Sequence, residues 1–191
     1  MKNSVKWIII ALVLVGVITG AYVLYNKFSD DFAIIPPIQT TDENNQGEQV
    51  ETEIDYSAPE FTVLDYKGNQ VKLSDFKGKP VVINFWATWC FYCKEEMPDF
   101  NEAFKKYPDV EFLMINATDG YRETVDSAKK YIEDENFDFN VYFDTELEAV
   151  NAYYVNSFPT TFFIDENGNL VTYANGMLDY DSLEKGIELI R

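Results

Sequence analysis

Cys90 and Cys93 are the only cysteines in the chain, and they stand where one sequence pattern gives way to another. Before them the apolar run Val81-Val82-Ile83 leads into Trp86 and reads as a buried strand. After them Met97, Phe100, Phe104 and Tyr107 recur at helical spacing. The pair therefore belongs to a strand-to-helix junction, inside Phe85-Trp86-Ala87-Thr88-Trp89-Cys90-Phe91-Tyr92-Cys93-Lys94. Unpaired backbone N–H groups and the dipole at a helix N-terminus stabilise an anion, which lowers the pKa of a thiol placed there. Cys90 is the thiol so placed. Cys93, one turn further in and expected to be the less exposed, is close enough to bond to it. The two can then cycle between dithiol and disulfide, with Cys90 attacking and Cys93 resolving.

Other uses of two cysteines fit less well. A zinc site wants four Cys or His ligands, and the chain offers two cysteines and no histidine. A purely structural bridge over so short a loop removes little chain entropy. The missing histidine also excludes imidazole acid–base catalysis and Ser-His or Cys-His nucleophiles, so any proton transfer falls to carboxylate, thiol, lysine, tyrosine or water. A formal net charge of −18, with no basic patch visible, argues against binding nucleic acid or anionic lipid through charge. The 191 residues suit one domain with an appendage, and 15 Phe, 13 Tyr and 3 Trp supply its core.

The appendage is N-terminal. Trp7 to Tyr25 is a run of nineteen residues without a charge; as a helix it reaches roughly 28 Å, about the hydrocarbon thickness of a bilayer. It is longer than the apolar core of a typical signal peptide and no Ala-x-Ala cleavage site follows it, which favours a retained anchor over a cleaved leader. No cysteine near its end allows a lipoprotein anchor. Lys2 and Lys6 precede the run while Asp30 and Asp31 follow Lys27, so residues 1–6 are expected in the cytoplasm, residues 7–25 in the membrane and the rest outside. Residues 26–57 read as an acidic tether: Phe28 to Ser57 holds eight carboxylates, no Lys or Arg, and Pro36-Pro37.

The folded domain is expected over residues 58–191. Phe61 to Tyr66 and Gln70 to Leu73 flank Lys67-Gly68-Asn69 as a hairpin, and Val81 to Trp86 is the strand before the cysteines. A helix follows from Phe91 to Tyr107, in which Pro98 predicts a kink. Glu111 to Ala117 reads as a strand, Arg122 to Asn136 as a helix, Phe139 to Phe143 as a short strand and Leu147 to Tyr154 as a helical turn or two. Phe158-Pro159 opens a β-rich run to Asp165, which turns at Asp165-Glu166-Asn167-Gly168-Asn169 into Leu170 to Ala174. Asp179 to Arg191 closes the chain as a helix with Leu183, Ile187 and Ile190 on one face. Alternating strands and helices with a late hairpin predict an α/β fold, a mixed sheet covered by helices.

These motifs resemble the thioredoxin-like proteins, and within them the membrane-anchored TlpA/ResA-like thiol-disulfide oxidoreductases of the redoxin/AhpC-TSA superfamily. The resemblance covers about Ala58 to Arg191. It rests on Ala58-Pro59-Glu60-Phe61, Leu73-Ser74-Asp75-Phe76-Lys77-Gly78-Lys79, Asn84-Phe85-Trp86-Ala87-Thr88-Trp89-Cys90, Cys93-Lys94-Glu95-Glu96-Met97-Pro98 and Phe158-Pro159-Thr160-Thr161-Phe162-Phe163-Ile164-Asp165. It implies a thioredoxin-like central sheet with the hairpin as an N-terminal extension. It also implies that Pro159 is a cis-proline facing the disulfide with Phe158 beside it. A proline there has no N–H, which leaves the neighbouring backbone able to pair with an extended substrate. Thioredoxin has a buried Asp where this chain has Asn84, which cannot accept a proton from the resolving cysteine; in the ResA-like branch the acid near the site matches Glu96. Independently, Glu96 lies three residues after Cys93, on the same helical face, and with a raised pKa it can exchange protons with that thiol. Glu95 reads as a solvated surface residue.

Phe91-Tyr92 departs from the family, replacing the Gly-Pro of thioredoxin and the Glu-Pro common in ResA-like proteins. It changes the helix start and the surface offered to a partner, which puts Trp89, Phe91, Tyr92, Phe158 and Pro159 forward as substrate contacts. The expected activity is reduction of protein disulfides with no bound cofactor. The resemblance implies a membrane thiol transporter as electron donor and a disulfide-bearing envelope protein, such as an apocytochrome c CxxC pair, as substrate. A dithiol oxidase, and a redox-inert tethered binding module, are the rival readings. A peroxidase lacks the Pro and Thr spacing that precedes a peroxidatic cysteine.

Overall fold

The computed structural model describes residues 56–191, together with Thr19. The expected span Trp7–Tyr25, Thr19 apart, and the acidic tether up to residue 55 lie outside the described residues. Among the described residues no helix is long and apolar enough to cross a membrane.

The sheet is built outward from β3 (Val81–Trp86), all six residues of which are buried. β3 pairs in parallel with β4 (Glu111–Asn116) and antiparallel with β6 (Thr160–Ile164). A strand covered on both faces has no polar face to show, which is why it reads as a continuous apolar run. β4 continues in parallel to β5 (Val141–Phe143), and β6 turns back antiparallel to β7 (Leu170–Asn175). The Asp165 carboxylate accepts the N–H groups of Asn167 and Asn169 and so fixes that turn, with Gly168 at φ +87. At the opposite edge the hairpin of β1 (Thr62–Leu64) and β2 (Gln70–Lys72) adds to β5, giving the order β2-β1-β5-β4-β3-β6-β7.

The period-two alternation of the strands sorts the core into two layers. Val82 and Trp86 face one side with Phe112, Met114 and Phe163. There they meet α1 (Phe91–Lys106), α2 (Val125–Glu135) and α4 (Tyr180–Glu188) through Met97, Phe100, Ala128, Ile132, Leu183 and Ile187. Val81, Ile83 and Phe85 face the other side with Leu113, Ile115 and Phe162, against α3 (Glu148–Ala152) and Phe61 of the segment leading into the hairpin. The mixed sheet flanked by helices, with the hairpin as an N-terminal extension, is the architecture expected from the sequence.

The boundaries shift where a side chain caps the backbone. α2 starts at Val125 rather than Arg122, because Thr124 Oγ1 accepts the Ser127 N–H while Ser127 Oγ accepts the Thr124 N–H. Residues 119–123 are thereby left as a loop of their own. α4 starts at Tyr180, with Asp179 accepting the Ser182 N–H. Leu73, expected to end the second hairpin strand, instead opens a 3-10 turn over Leu73–Phe76, and β2 stops at Lys72. α1 runs through Pro98, which lies on its exposed side. Upstream of the expected start at Ala58, the Tyr56 carbonyl accepts the Leu170 N–H and Ser57 bridges to Asn169.

α4 approaches the sheet through Gly186. A Cβ built there would lie 2.3 Å from the ring of Phe163, which is buried in the first layer. Alanine gains about 1 kcal/mol of helix propensity over glycine, whereas overpacking a core costs about 1–3 kcal/mol; a clash this deep belongs at the upper end. Gly186→Ala is therefore expected to destabilise the fold by about 2 kcal/mol, seen as a lower urea midpoint with an unchanged slope. An unchanged or higher midpoint would mean that Phe163 is free to move.

Candidate active site

β3 ends at Trp86, and a turn of three residues delivers Cys90 to the start of α1, where it is the N-cap. Cys90 and Cys93 are joined by a disulfide, with Cα atoms 5.3 Å apart. Cys90 Sγ accepts the backbone N–H of Cys93 at 3.1 Å. That donor belongs to the unpaired amides of the first helical turn, which holds no acidic residue, and it would favour a negative sulfur over a neutral one. Cys90 is 6% exposed and Cys93 fully buried, in the order expected, although both are more enclosed than a surface thiol.

Glu96 projects from α1 into the interior and is 1% exposed. Asn84 on β3 reaches it because Asn84 shares the face of Val82 and Trp86, the face against which α1 packs. Asn84 Nδ2 donates to Glu96 Oε1 at 2.7 Å and to Thr161 Oγ1 at 3.0 Å; Thr161 is its register partner on β6. Glu96 Oε2 accepts the N–H of Leu178 at 2.9 Å, which ties the loop before α4 to the helix. Burial pushes the Glu96 carboxyl up from its ordinary 4.5 to about 7; the two hydrogen bonds pull against this, and the nearby charge of Asp99 adds to it. The Asn84 Oδ1 atom is buried with no hydrogen-bond partner among the described residues. Glu95 is exposed, as its neighbouring position predicted.

The remaining predicted residues surround the turn. Trp89 meets Phe158 edge to face at 5.7 Å, and the Phe158–Pro159 peptide is cis, as the resemblance implied. Phe91 and Tyr92 lie outside the core, both well exposed and in contact with each other at 5.5 Å.

Two neighbours of the turn were not anticipated. Glu123, fully buried, accepts the Thr88 N–H at 3.0 Å and the Thr88 hydroxyl at 2.7 Å on Oε2, and Asn116 Nδ2 at 3.1 Å on Oε1. Arg122 lays its guanidinium over the Trp89 ring at 3.7 Å. Both come from loop 119–123, itself set by Asp119 Oδ1 accepting the N–H groups of Tyr121, Arg122 and Glu123. Tyr121 is left 96% exposed at its tip. The sequence marks this loop only by Asp119-Gly120, a turn signal with no hint of what the following acid would meet.

A cysteine pair capping the helix that follows the central strand, with a cis-proline opening the adjacent strand, is a thioredoxin-like arrangement. Residues 54–173 match the AhpC/TSA family, and the chain belongs to it. Its activity is that of a thiol-disulfide oxidoreductase. It is similar to the thiol-disulfide oxidoreductase ResA of Geobacillus kaustophilus (strain HTA426), 36% identical over 146 residues that make up 75% of this chain and 82% of that one. Among solved structures it resembles a protein described as a thiol:disulfide interchange protein DsbE from Chlorobium tepidum, with a TM-score of 0.62 and 31% identity over 69% of this chain and 93% of that one. The exposed lipoprotein thioredoxin of Streptococcus pneumoniae strain TIGR4 is similar at a TM-score of 0.59 and 29% identity, over 68% and 99%.

Proposed function

We propose that the enzyme reduces disulfides in proteins outside the cytoplasm, with Cys90 and Cys93 as its redox pair and Glu96 as the proton acceptor. The observation that carries this reading is the Cys93 amide donated to Cys90 Sγ, with a buried acid of raised pKa one turn further along the same helix. In the reduced enzyme the Cys90 thiolate attacks one sulfur of the substrate disulfide, and the other sulfur leaves as a thiolate. Cys93 then passes its proton to the Glu96 carboxylate and attacks Cys90. The second substrate thiolate leaves, and two electrons have moved from enzyme to substrate. No bound cofactor takes part.

The exposed Trp89, Phe91 and Tyr92, with the half-buried Phe158, form the surface on which the substrate rests, and the buried Pro159 fixes the cis backbone next to Phe158. In this reading residues 7–25 hold the enzyme in the membrane with its N-terminus in the cytoplasm, and residues 26–57 let the domain reach its partners. The likeness to a thiol-disulfide oxidoreductase and a thiol:disulfide interchange protein supports a protein disulfide as substrate; in this reading it is an apocytochrome c CxxC pair or another envelope disulfide. A membrane thiol transporter would then restore the dithiol.

The reduction potential of the pair tests the direction. It is measured on the fragment from Thr52 onward, which keeps the Tyr56 and Ser57 contacts with β7, equilibrated against glutathione and dithiothreitol. A value near or below about −250 mV is expected, in the range of thioredoxin, whereas about −120 mV would mark an enzyme that inserts disulfides. The absence of any reversible couple would sink both directions.

A further inference from the structure

Glu123 is a fully buried carboxylate that the exchange steps above do not use. Its partners are all neutral donors: the amide and hydroxyl of Thr88, the side-chain amide of Asn116 and, at 3.5 Å, the Ser127 hydroxyl. Asn116 is committed in turn, its Oδ1 accepting the Thr118 hydroxyl at 2.7 Å, and the Gly120 N–H donates to the Glu123 carbonyl at 2.9 Å. No ion pair among the described residues involves Glu123. The carboxylate therefore faces the turn with hydrogen bonds that hold it in place and no ion pair, the nearby Arg122 being stacked on Trp89 rather than paired with it.

Thr88 lies two residues before Cys90, and Trp89, stacked by Arg122, lies between them. Consecutive residues of one loop thus grip consecutive residues of the redox turn. We propose that Glu123 is a positioning residue for Cys90: it fastens the turn through Thr88, two residues before the sulfur-bearing residue, and its buried negative charge, held on that turn, disfavours the Cys90 thiolate and so favours the disulfide. The Cys93 amide pulls the sulfur toward the anion from the helix, and Glu123, held on Thr88 of the turn, opposes it. A buried charge is little screened and like charges raise the cost of ionising a neighbour, so the two effects set the potential between them. This inference rests on Cys90 and Cys93 being the redox pair.

The test uses the full-length chain and two variants with opposite expected signs. Glu123→Gln keeps the shape and removes the charge. Its dithiol form should gain about threefold in the equilibrium with glutathione, and Cys90 should alkylate about threefold faster below its pKa. Thr88→Val keeps the charge but takes away one of the donors that share it, and should move the same equilibrium about twofold toward the disulfide. A merely structural clamp would be loosened by both variants and would shift both the same way, or neither. Either result overturns the proposal. If Glu123→Gln does not fold, Thr88→Val decides alone: a shift toward the disulfide supports the proposal, and no shift or the reverse refutes it. The wild-type protein is measured alongside, since a chain with no reversible couple would refute the redox assignment itself rather than the part given to Glu123.

Discussion

Cys93→Ala is expected to turn the enzyme into a trap. Cys90 can still attack a substrate disulfide, but the thiol that would displace the product is gone, so the mixed disulfide accumulates and is visible as a higher-mass species on non-reducing gels. Multiple turnover should fall by more than about 10³-fold, a barrier increase of about 4 kcal/mol. Cys90→Ala should lose turnover to the same degree and trap nothing, because Cys93 is fully buried and cannot reach a macromolecular disulfide. Equal trapping by both variants would remove the division of labour between the two sulfurs. A Cys90→Ala chain that kept its biological role would point to a binding module instead.

Glu96→Gln carries the second large effect, in two independent readouts. With its pKa raised to about 7, Glu96 is a carboxylate above that pH and can take the Cys93 proton. Resolution of the mixed disulfide should therefore rise with pH through about 7 in the wild type. In the variant the step should be slower by about 10²-fold and lack that inflection. Stability moves as well. Between about 4.5 and 7 the folded state holds a proton on Glu96 that the unfolded chain has released, so the group's contribution is fully present below 4.5 and is lost as pH climbs to 7. The rise from 4.5 to about 7 corresponds to roughly 3 kcal/mol. Urea denaturation at pH 4.5 and pH 8 should thus show the wild type losing about that much more than Glu96→Gln across the range. Parallel losses in the two proteins would place the pH dependence on other groups.

The sequence exposed those parts of the molecule whose reasons are local or periodic. β3 was readable because a strand buried on both faces is almost wholly apolar, with Asn84 its one polar side chain. The cysteine turn was readable because a strand pattern and a helix pattern meet there. The cis peptide at Pro159 came from family resemblance alone, since a proline opening a strand is equally at home in trans. Glu123 escaped because its burial has no local cause: its partners Thr88 and Asn116 come from other segments, and only the assembled sheet brings them to one point. The start of α2 was misplaced for a related reason. Arg122 and Glu123 are good helix formers, but Thr124 caps the helix and frees them for the turn. The aromatic residues at the site were found by position, whereas Arg122 over Trp89 needed the loop's actual path.

Asn84 gives the site a property that a second acid at that position would not. A side-chain amide has a donor end and an acceptor end, and a half-turn of its terminal bond exchanges them. Facing an ionised Glu96 it offers Nδ2, the end turned toward Oε1 in the structure; facing a protonated Glu96 it can offer the oxygen that otherwise has no partner. The same residue thus serves as a reversible socket for either charge state, and the core around Cys93 can pass a proton in or out by a half-turn of one side-chain amide, with no shift of β3 or α1 required.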